Sequence, residues 1–387
     1  TQRGRIEYAA KGGRLNTDAI DNSGGVDCSD HEVNIKILLE DPSIQQNMTV
    51  EERNTLLAKM TDEVARLVLR NNYLQTQAIS IAHTQGTALL EKYIHLIETL
   101  EKEGKLNRDL ETLPNEKTLN EYKASGRSFT RPEIAILLAY GKIFVFEQII
   151  NTPFIKSSLL NEMFYSYFPN YLSETFRSEI DRHPLKQEII ATLISNHVVN
   201  HMGPTFLSEM MLLTNATAED ILQAYFVVFN SFRLDSDWES IEQLDYKIPA
   251  PLQYTLLLQI THVVESNLLW LLRHPKTIHH FSIHKEDACL LVNELIESVE
   301  KEKTESELIQ KGVPQKVAKK AHALSLMGFA YGIIESARHM ALPLSQVAQL
   351  FFKVQERFDI HFFRTALGSL GGTLWEKRAA HALHDQL

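Results

Sequence analysis

The sequence is poor in several features that would narrow its class quickly, and each shortage excludes something. Only two cysteines, Cys28 and Cys289, stand in 387 residues. That is too few for a disulfide framework and fits a reducing, cytoplasmic setting. No apolar run approaches the ~20 residues that span a bilayer, so no membrane helix is expected. Lys and Arg number 39 against 49 Asp and Glu, and the net charge of −10 argues against nucleic acid and anionic membranes as partners. The clustered cations Lys316, Lys319 and Lys320 read as a solvated helix face. The opening Thr1-Gln2-Arg3-Gly4-Arg5 has neither an initiator Met nor the apolar core of a signal peptide, and it predicts a piece of something longer. A Gly-x-Gly-x-x-Gly turn is missing too. The nearest candidate, Gly368-Ser369-Leu370-Gly371-Gly372, has the wrong spacing and reads as a loop or cap.

What is present is mostly helical by period. Hydrophobic content of 44% and charged content of 23% are ordinary for a globular chain of two or three domains. Thr49 and Glu52 form a capping box ahead of Leu56, Leu57, Met60, Val64, Leu67 and Val68. Thr130-Arg131-Pro132-Glu133 caps a helix running to Ile150 whose all-round apolarity predicts burial on more than one side. His183-Pro184-Leu185 opens another, closed by Met202-Gly203-Pro204, and later helices begin near Thr217, Pro251, Lys285, Pro314 and Ser345. Residues 101–127, rich in Glu, Lys and Asn with Gly104, Pro114 and Gly126, read as a surface connection. Only the first 25 residues or so alternate as a strand would.

The organising stretch is Asp21-Asn22-Ser23-Gly24-Gly25-Val26-Asp27-Cys28-Ser29-Asp30-His31-Glu32-Val33-Asn34. Gly24 and Gly25 permit positive φ and close backbone approach to a ligand. Ser29 and Glu32 have capping-box spacing. The stretch therefore predicts strand, Gly-Gly turn and helix start, with free amides aimed at whatever fills the turn. Asn22, Gly24, Gly25, Val26, Ser29 and Glu32 fall in register with the closing turn of the nucleotide-binding domain of the glutamate dehydrogenases, which this stretch resembles. Asp27, Cys28, Asp30 and His31 depart from the small hexameric enzymes and are similar to the very large bacterial NAD-specific branch, as is Gly12-Gly13-Arg14-Leu15-Asn16-Thr17-Asp18-Ala19-Ile20. Residues 70–78, 130–135 and 183–206 resemble the same branch.

The resemblance implies a mainly α chain: a helical C-terminal domain preceded by the last strand-turn-helix of a Rossmann-type α/β nucleotide-binding domain. It implies residues 1–45 as the end of the NAD-binding domain, 46–110 as helices closing the catalytic domain, and 111–387 as the helical C-terminal domain. It also implies oxidation of L-glutamate to 2-oxoglutarate and ammonium with NAD as cofactor, in a whole protein expected to be a cytoplasmic homo-oligomer. Asn22, with Gly24 and Gly25, is then the cofactor-binding set, and Ser29 the ligand of the glutamate side-chain carboxylate. The Ser29 hydroxyl has a competing role as a plain N-cap. Nothing offers the substrate Lys, the low-pKa Lys and the catalytic Asp in a Gly-rich context, so no catalytic residues are expected in this piece and the isolated chain is expected to be inactive. A helical oligomerisation or regulatory module without chemistry, and another amino acid dehydrogenase with a similar turn, stay open as alternatives. His197 and His201 share a helix face, and His274, His279, His280 and His284 cluster, but neither group has a full zinc ligand set, and no metal is expected. Trp238, Trp270 and Trp375 read as packing residues, and Cys28 lacks the neighbours of a nucleophile.

Overall fold

A computed structural model describes residues 1–275, 290, 293, 303–360, 362, 363, 366 and 379. The loop expected at Gly368–Gly372, the helix expected near Lys285, and His279, His280, His284, Cys289 and Trp375 lie outside the described residues. Among the described residues there is no strand, and the chain divides into two units, Thr1–Glu219 and Asp220–Leu387.

The first unit holds α1 (Gln2–Ala10), α2 (Asp18–Asp21), α3 (Ser23–Leu39), α4 (Pro42–Gln45), α5 (Val50–Gln85), α6 (Leu90–Lys102), α7 (Glu116–Ser125), α8 (Arg131–Ile149), α9 (Asn161–Tyr165), α10 (Asn170–Thr175), α11 (Arg177–Asp181), α12 (Lys186–Met202) and α13 (Phe206–Thr214). The predicted strand over residues 12–20 and the Gly-Gly turn after it are not formed. An extended segment with no neighbouring strand leaves its N–H and C=O groups unpaired, whereas a helix satisfies them internally. Residues 18–39 take that second course, with Thr17 capping α2.

Both expected capping boxes on the longer helices are present. The Thr49 hydroxyl accepts from Glu52 N–H at 3.2 Å, and Glu52 takes Thr49 N–H at 2.8 Å. Glu133 takes the N–H and the hydroxyl of Thr130, each at 2.6 Å. Glu133 is itself buried, which raises its carboxyl pKa against the pull of those bonds. Helix α8 is the centre of the unit. It packs on α12, α5 and α1, and Leu137 and Leu138 are fully buried. Gly141 lets the start of the α13 segment approach: a Cβ there would meet Pro204 backbone atoms at 2.8 and 2.9 Å. Gly203 ends α12 at φ +88°, a conformation that favours glycine. The surface connection expected at 101–127 is partly inside: Leu106, Leu113, Leu119 and Tyr122 are buried, and Arg108 clamps Glu101 at 2.6 and 2.7 Å.

The second unit begins in the first turn of α14 (Ala218–Phe232). It continues through α15 (Leu234–Glu242), α16 (Ala250–Arg273), α17 (Lys303–Gln310), α18 (Gln315–Leu326), α19 (Ala330–Met340) and α20 (Leu344–Arg357). Contrary to the reading of apolar runs, α16 is long and apolar enough to cross a membrane by length and composition. In this unit it is the core helix, with Leu257, Ile260, Val263, Val264, Leu268 and Leu271 fully buried. Fully buried Asn267 donates to Val263 O and Met327 O at 2.8 Å, tying α16 to the turn before α19. Lys320 is not simply solvated, since it pairs at 3.1 Å with the buried Asp237. Trp238 is a packing residue, buried with its indole N–H on Glu242 at 3.0 Å.

Candidate functional site

Helix α3 and its N-cap carry every residue that the sequence nominated, but in a different local structure. Gly24 and Gly25 sit in its first turn, and neither has positive φ. The N-cap is Asn22, whose side chain makes no capping bond. Ser29 is therefore not a cap: the helix has begun six residues earlier, and the Ser29 hydroxyl donates to Gly25 O at 3.2 Å. Glu32 pairs forward with Lys36 instead of reaching back. Residues three apart are neighbours anywhere along a helix, so the Ser29/Glu32 spacing alone does not mark a helix start, and here the helix begins earlier.

Gly24 has a packing purpose. A Cβ at this position would meet Asn72 Nδ2 at 3.1 Å and Val68 Cγ1 at 3.6 Å, so its missing side chain brings α3 close to α5. The seam there is polar. The Ser23 hydroxyl lies 3.0 Å from Ile20 O and against Asn72 Oδ1, and it accepts from Gln75 Nε2 at 3.4 Å. One turn on, Asn71 Nδ2 donates to Asp27 Oδ2 at 2.8 Å.

Behind Asp27 the seam opens into a buried cluster. His31 is 2% exposed, stacks on Tyr167 with ring centroids 4.4 Å apart, and places Nε2 3.9 Å from Asp27 Oδ1. Burial depresses the His31 pKa more than Asp27 and Asp30 raise it, and its Nδ1 has no hydrogen-bond partner. The Tyr167 hydroxyl donates to Asp30 Oδ2 at 2.7 Å and accepts from Asn34 Nδ2 at 2.8 Å. His183 Nδ1 accepts from Leu185 N–H at 3.1 Å, which leaves Nε2 to donate to Asn34 O at 3.1 Å. Asp27 is pushed up by burial, partly offset by the Asn71 bond and the His31 charge. Lys142 on α8 is pushed down to about 7 by loss of solvent, with Asp27 the one charge opposing that fall.

The structure brings Asn22, Gly25 and Ser29 together on the exposed side of α3, alongside Val26 and Val33, which are 74% and 52% exposed. It turns Gly24 the other way, into α5. These residues do not fit a dinucleotide cradle by themselves, because Asn72 fills the space that the one crowded glycine frees. Asn71, Tyr167 and Lys142 escaped the sequence reading, being 44, 140 and 115 positions from Asp27. The Asp27/His31 and Asp30/Asn34 pairs, four apart on one helix, were the available signal.

Residues 126–387 match the family model described as glutamate dehydrogenase, C-terminal, and residues 1–82 match that of the bacterial NAD-glutamate dehydrogenase catalytic domain. This chain belongs to the glutamate dehydrogenase C-terminal family. Glutamate dehydrogenase relatives align with all of it: NAD-specific glutamate dehydrogenases of Halomonas elongata at 37% identity, Pseudomonas aeruginosa at 36% and Mycobacterium tuberculosis at 31%. The chain spans 24–25% of the length of these relatives. Between the two family matches, residues 83–125 contain α6, α7 and the Arg108–Glu101 clamp.

Proposed function

We propose that this chain is the C-terminal part of an NAD-dependent glutamate dehydrogenase whose whole protein oxidises L-glutamate to 2-oxoglutarate and ammonium with reduction of NAD⁺. The observation that carries this reading is alignment of all 387 residues with three NAD-specific glutamate dehydrogenases, its first 82 with a catalytic domain. Residues 1–45 are the end of the NAD-binding domain, 46–110 close the catalytic domain, and 111–387 form the helical C-terminal domain. In the whole protein, residues 12–20 gain strand partners from the rest of a Rossmann-type sheet, and the outer side of α3 faces the cleft. There Asn22 with Gly24 and Gly25 serves the cofactor, while Ser29 donates to the glutamate side-chain carboxylate. The substrate Lys, the low-pKa Lys, the catalytic Asp and the phosphate-binding turn are supplied elsewhere in the whole protein. The protein works as a cytoplasmic homo-oligomer without nucleic acid or membrane partners.

The test is steady-state NADH formation by the full-length protein. Ser29→Ala should raise KM for glutamate and leave NAD⁺ binding nearly unchanged. A lost charge-assisted hydrogen bond of ~1.5–3 kcal/mol corresponds to roughly a 10- to 150-fold fall in kcat/KM. Asn22→Ala should do the reverse, weakening cofactor use without altering amino acid preference. An unchanged preference for glutamate in Ser29→Ala removes Ser29 from the site, and turnover by the 387-residue chain alone would mean the chemistry is misplaced. A second reading, a helical oligomerisation or regulatory module, is favoured by α20, where Leu350 and Val354 are half exposed and Phe358, just beyond it, is 62% exposed.

A further inference from the structure

Helix α3 is held towards both ends by side chains from elsewhere, and none of them touches Ser29. Towards its start, Ser23 and Asp27 meet Asn72 and Asn71 of α5. Towards its end, the Tyr167 hydroxyl sits between two residues one turn apart, donating to Asp30 Oδ2 at 2.7 Å and accepting from Asn34 Nδ2 at 2.8 Å. His183 adds a bond to Asn34 O at 3.1 Å. The Ser29 hydroxyl bonds only to Gly25 O of its own helix among the described residues, so the roll of α3 sets its direction. Tyr167 is a fixed point. Its ring lies between His31, stacked at 4.4 Å, and Phe168, edge-on at 5.0 Å, and its backbone N–H bonds to Phe164 O at 3.2 Å in the turn after α9. Burial, and the Asp30 carboxylate beside it, push the Tyr167 hydroxyl pKa up, so the proton stays on the oxygen that donates it.

We propose that Tyr167 is a positioning residue for the substrate side of the site: its hydroxyl, clamped between Asp30 and Asn34, fixes the roll of α3 and so aims Ser29 at the glutamate side-chain carboxylate. The inference rests on the role proposed for Ser29. Ser29 directly precedes Asp30 and stands about 100° round the helix from it, so a change of roll at Asp30 swings Ser29 with it. Hydrogen bonds weaken steeply as their angles bend, which apolar contacts do not, and two of them on one hydroxyl resist rolling and sliding together. Asn22 lies two turns away, beside the seam with α5, and keeps its place when the Tyr167 clamp is lost. The clamp also crosses between the two family matches. Tyr167 belongs to residues 126–387 and Ser29 to residues 1–82, so a side chain of the helical region governs a residue of the catalytic region.

The test is a mutant cycle in the full-length protein, read by steady-state NADH formation. Tyr167→Phe keeps the ring between His31 and Phe168 and removes only the hydroxyl. A misplacement of about 1 Å can cost about 100-fold, and the smaller shift expected here should raise KM for glutamate about 5- to 10-fold while KM for NAD⁺ stays within about twofold. Asn34→Ala, which takes away one of the two bonds, should raise it less and in the same direction; it keeps the question open to measurement should Tyr167→Phe fold poorly. Because Tyr167 acts through Ser29, the double variant Ser29→Ala/Tyr167→Phe should match Ser29→Ala alone. A merely structural tyrosine would lower the use of both substrates, and its effect would multiply with that of Ser29→Ala. Either of those results overturns the inference. So does a raised KM in Ser29→Ala beside parental values in Tyr167→Phe and Asn34→Ala, which leaves the Ser29 role standing. A parental KM in Ser29→Ala removes that role and this inference together.

Discussion

Two helix seams in the first unit solve the same packing problem with opposite chemistry. Between α8 and α12 the contact is apolar: Leu137 and Leu138 on one side, Ile190, Ala191, Ile194 and Val198 on the other, all at most 2% exposed. Between α3 and α5 it is polar, built from Ser23, Asn72, Gln75, Asp27 and Asn71. Apolar burial contributes in proportion to area and tolerates no rearrangement without a cavity. A hydrogen-bonded seam yields little net stability, because folding exchanges protein–water bonds for protein–protein bonds. It keeps instead groups whose charge and partners can change. The residues nominated for cofactor and substrate lie on the helix held by the convertible seam, and the stability of the unit lies in the other.

Breaking that contrast is a matter of substituting in both seams. The largest loss is expected at Leu138→Ala, about 2–5 kcal/mol for a fully buried leucine, read by denaturant unfolding. A loss under ~0.5 kcal/mol would show that the apolar seam is not the scaffold. Gly141→Ala comes next, at about 1–3 kcal/mol, since its Cβ meets Pro204 backbone and not a movable side-chain tip. Third is a pH effect at Lys142 on α8, whose charge acts on Asp27 of the polar seam. The Lys142 pKa is lowered in the fold, so the unfolded chain binds more protons above about pH 7 and stability rises with pH, by at most ~1.4 kcal/mol per unit. Lys142→Met should flatten that rise between about pH 7 and 9, a window above the range where His31, His83 and His183 titrate. The smallest effect is expected at Ser29→Ala, within ~0.5 kcal/mol on stability, because its hydroxyl only bonds back to Gly25 O. A loss of ~0.5–2 kcal/mol there would mean that Ser29 caps the helix after all.

How far the sequence was legible follows the same division. Thr49/Glu52 and Thr130/Glu133 could be read because a capping box, an apolar period and a stop signal all lie within a few residues of each other. The burial of Leu138 followed from apolar residues on every side of its helix. The start of α3 was misread because Ser29/Glu32 and Asn22–Gly25 are both plausible beginnings, and only the close fit of Gly24 against Asn72 decides between them. That fit joins residues 48 apart, and the electrostatic influence of Asp27 on Lys142 joins residues 115 apart. No local pattern encodes either. The polarity of α16 misled in the other direction: Gln253, His262 and Asn267 break its apolar run to the eye, yet fully buried Asn267 is satisfied inside the unit.

Helix α5 has a mechanical meaning of its own. Its 36 residues contain neither Pro nor Gly and make a rod about 54 Å long. The catalytic-domain match ends at residue 82, almost at the end of the rod, so most of its length belongs to the match. Past its midpoint, Asn71 and Asn72 grip α3; a little over two turns later Ser80 receives Arg131 at 3.0 Å from the first turn of α8. A rod without a joint cannot absorb movement between those two attachments. Any shift of α3 therefore arrives undiminished at the base of α8, and the first place where the chain can bend is Gly86, at φ +55°.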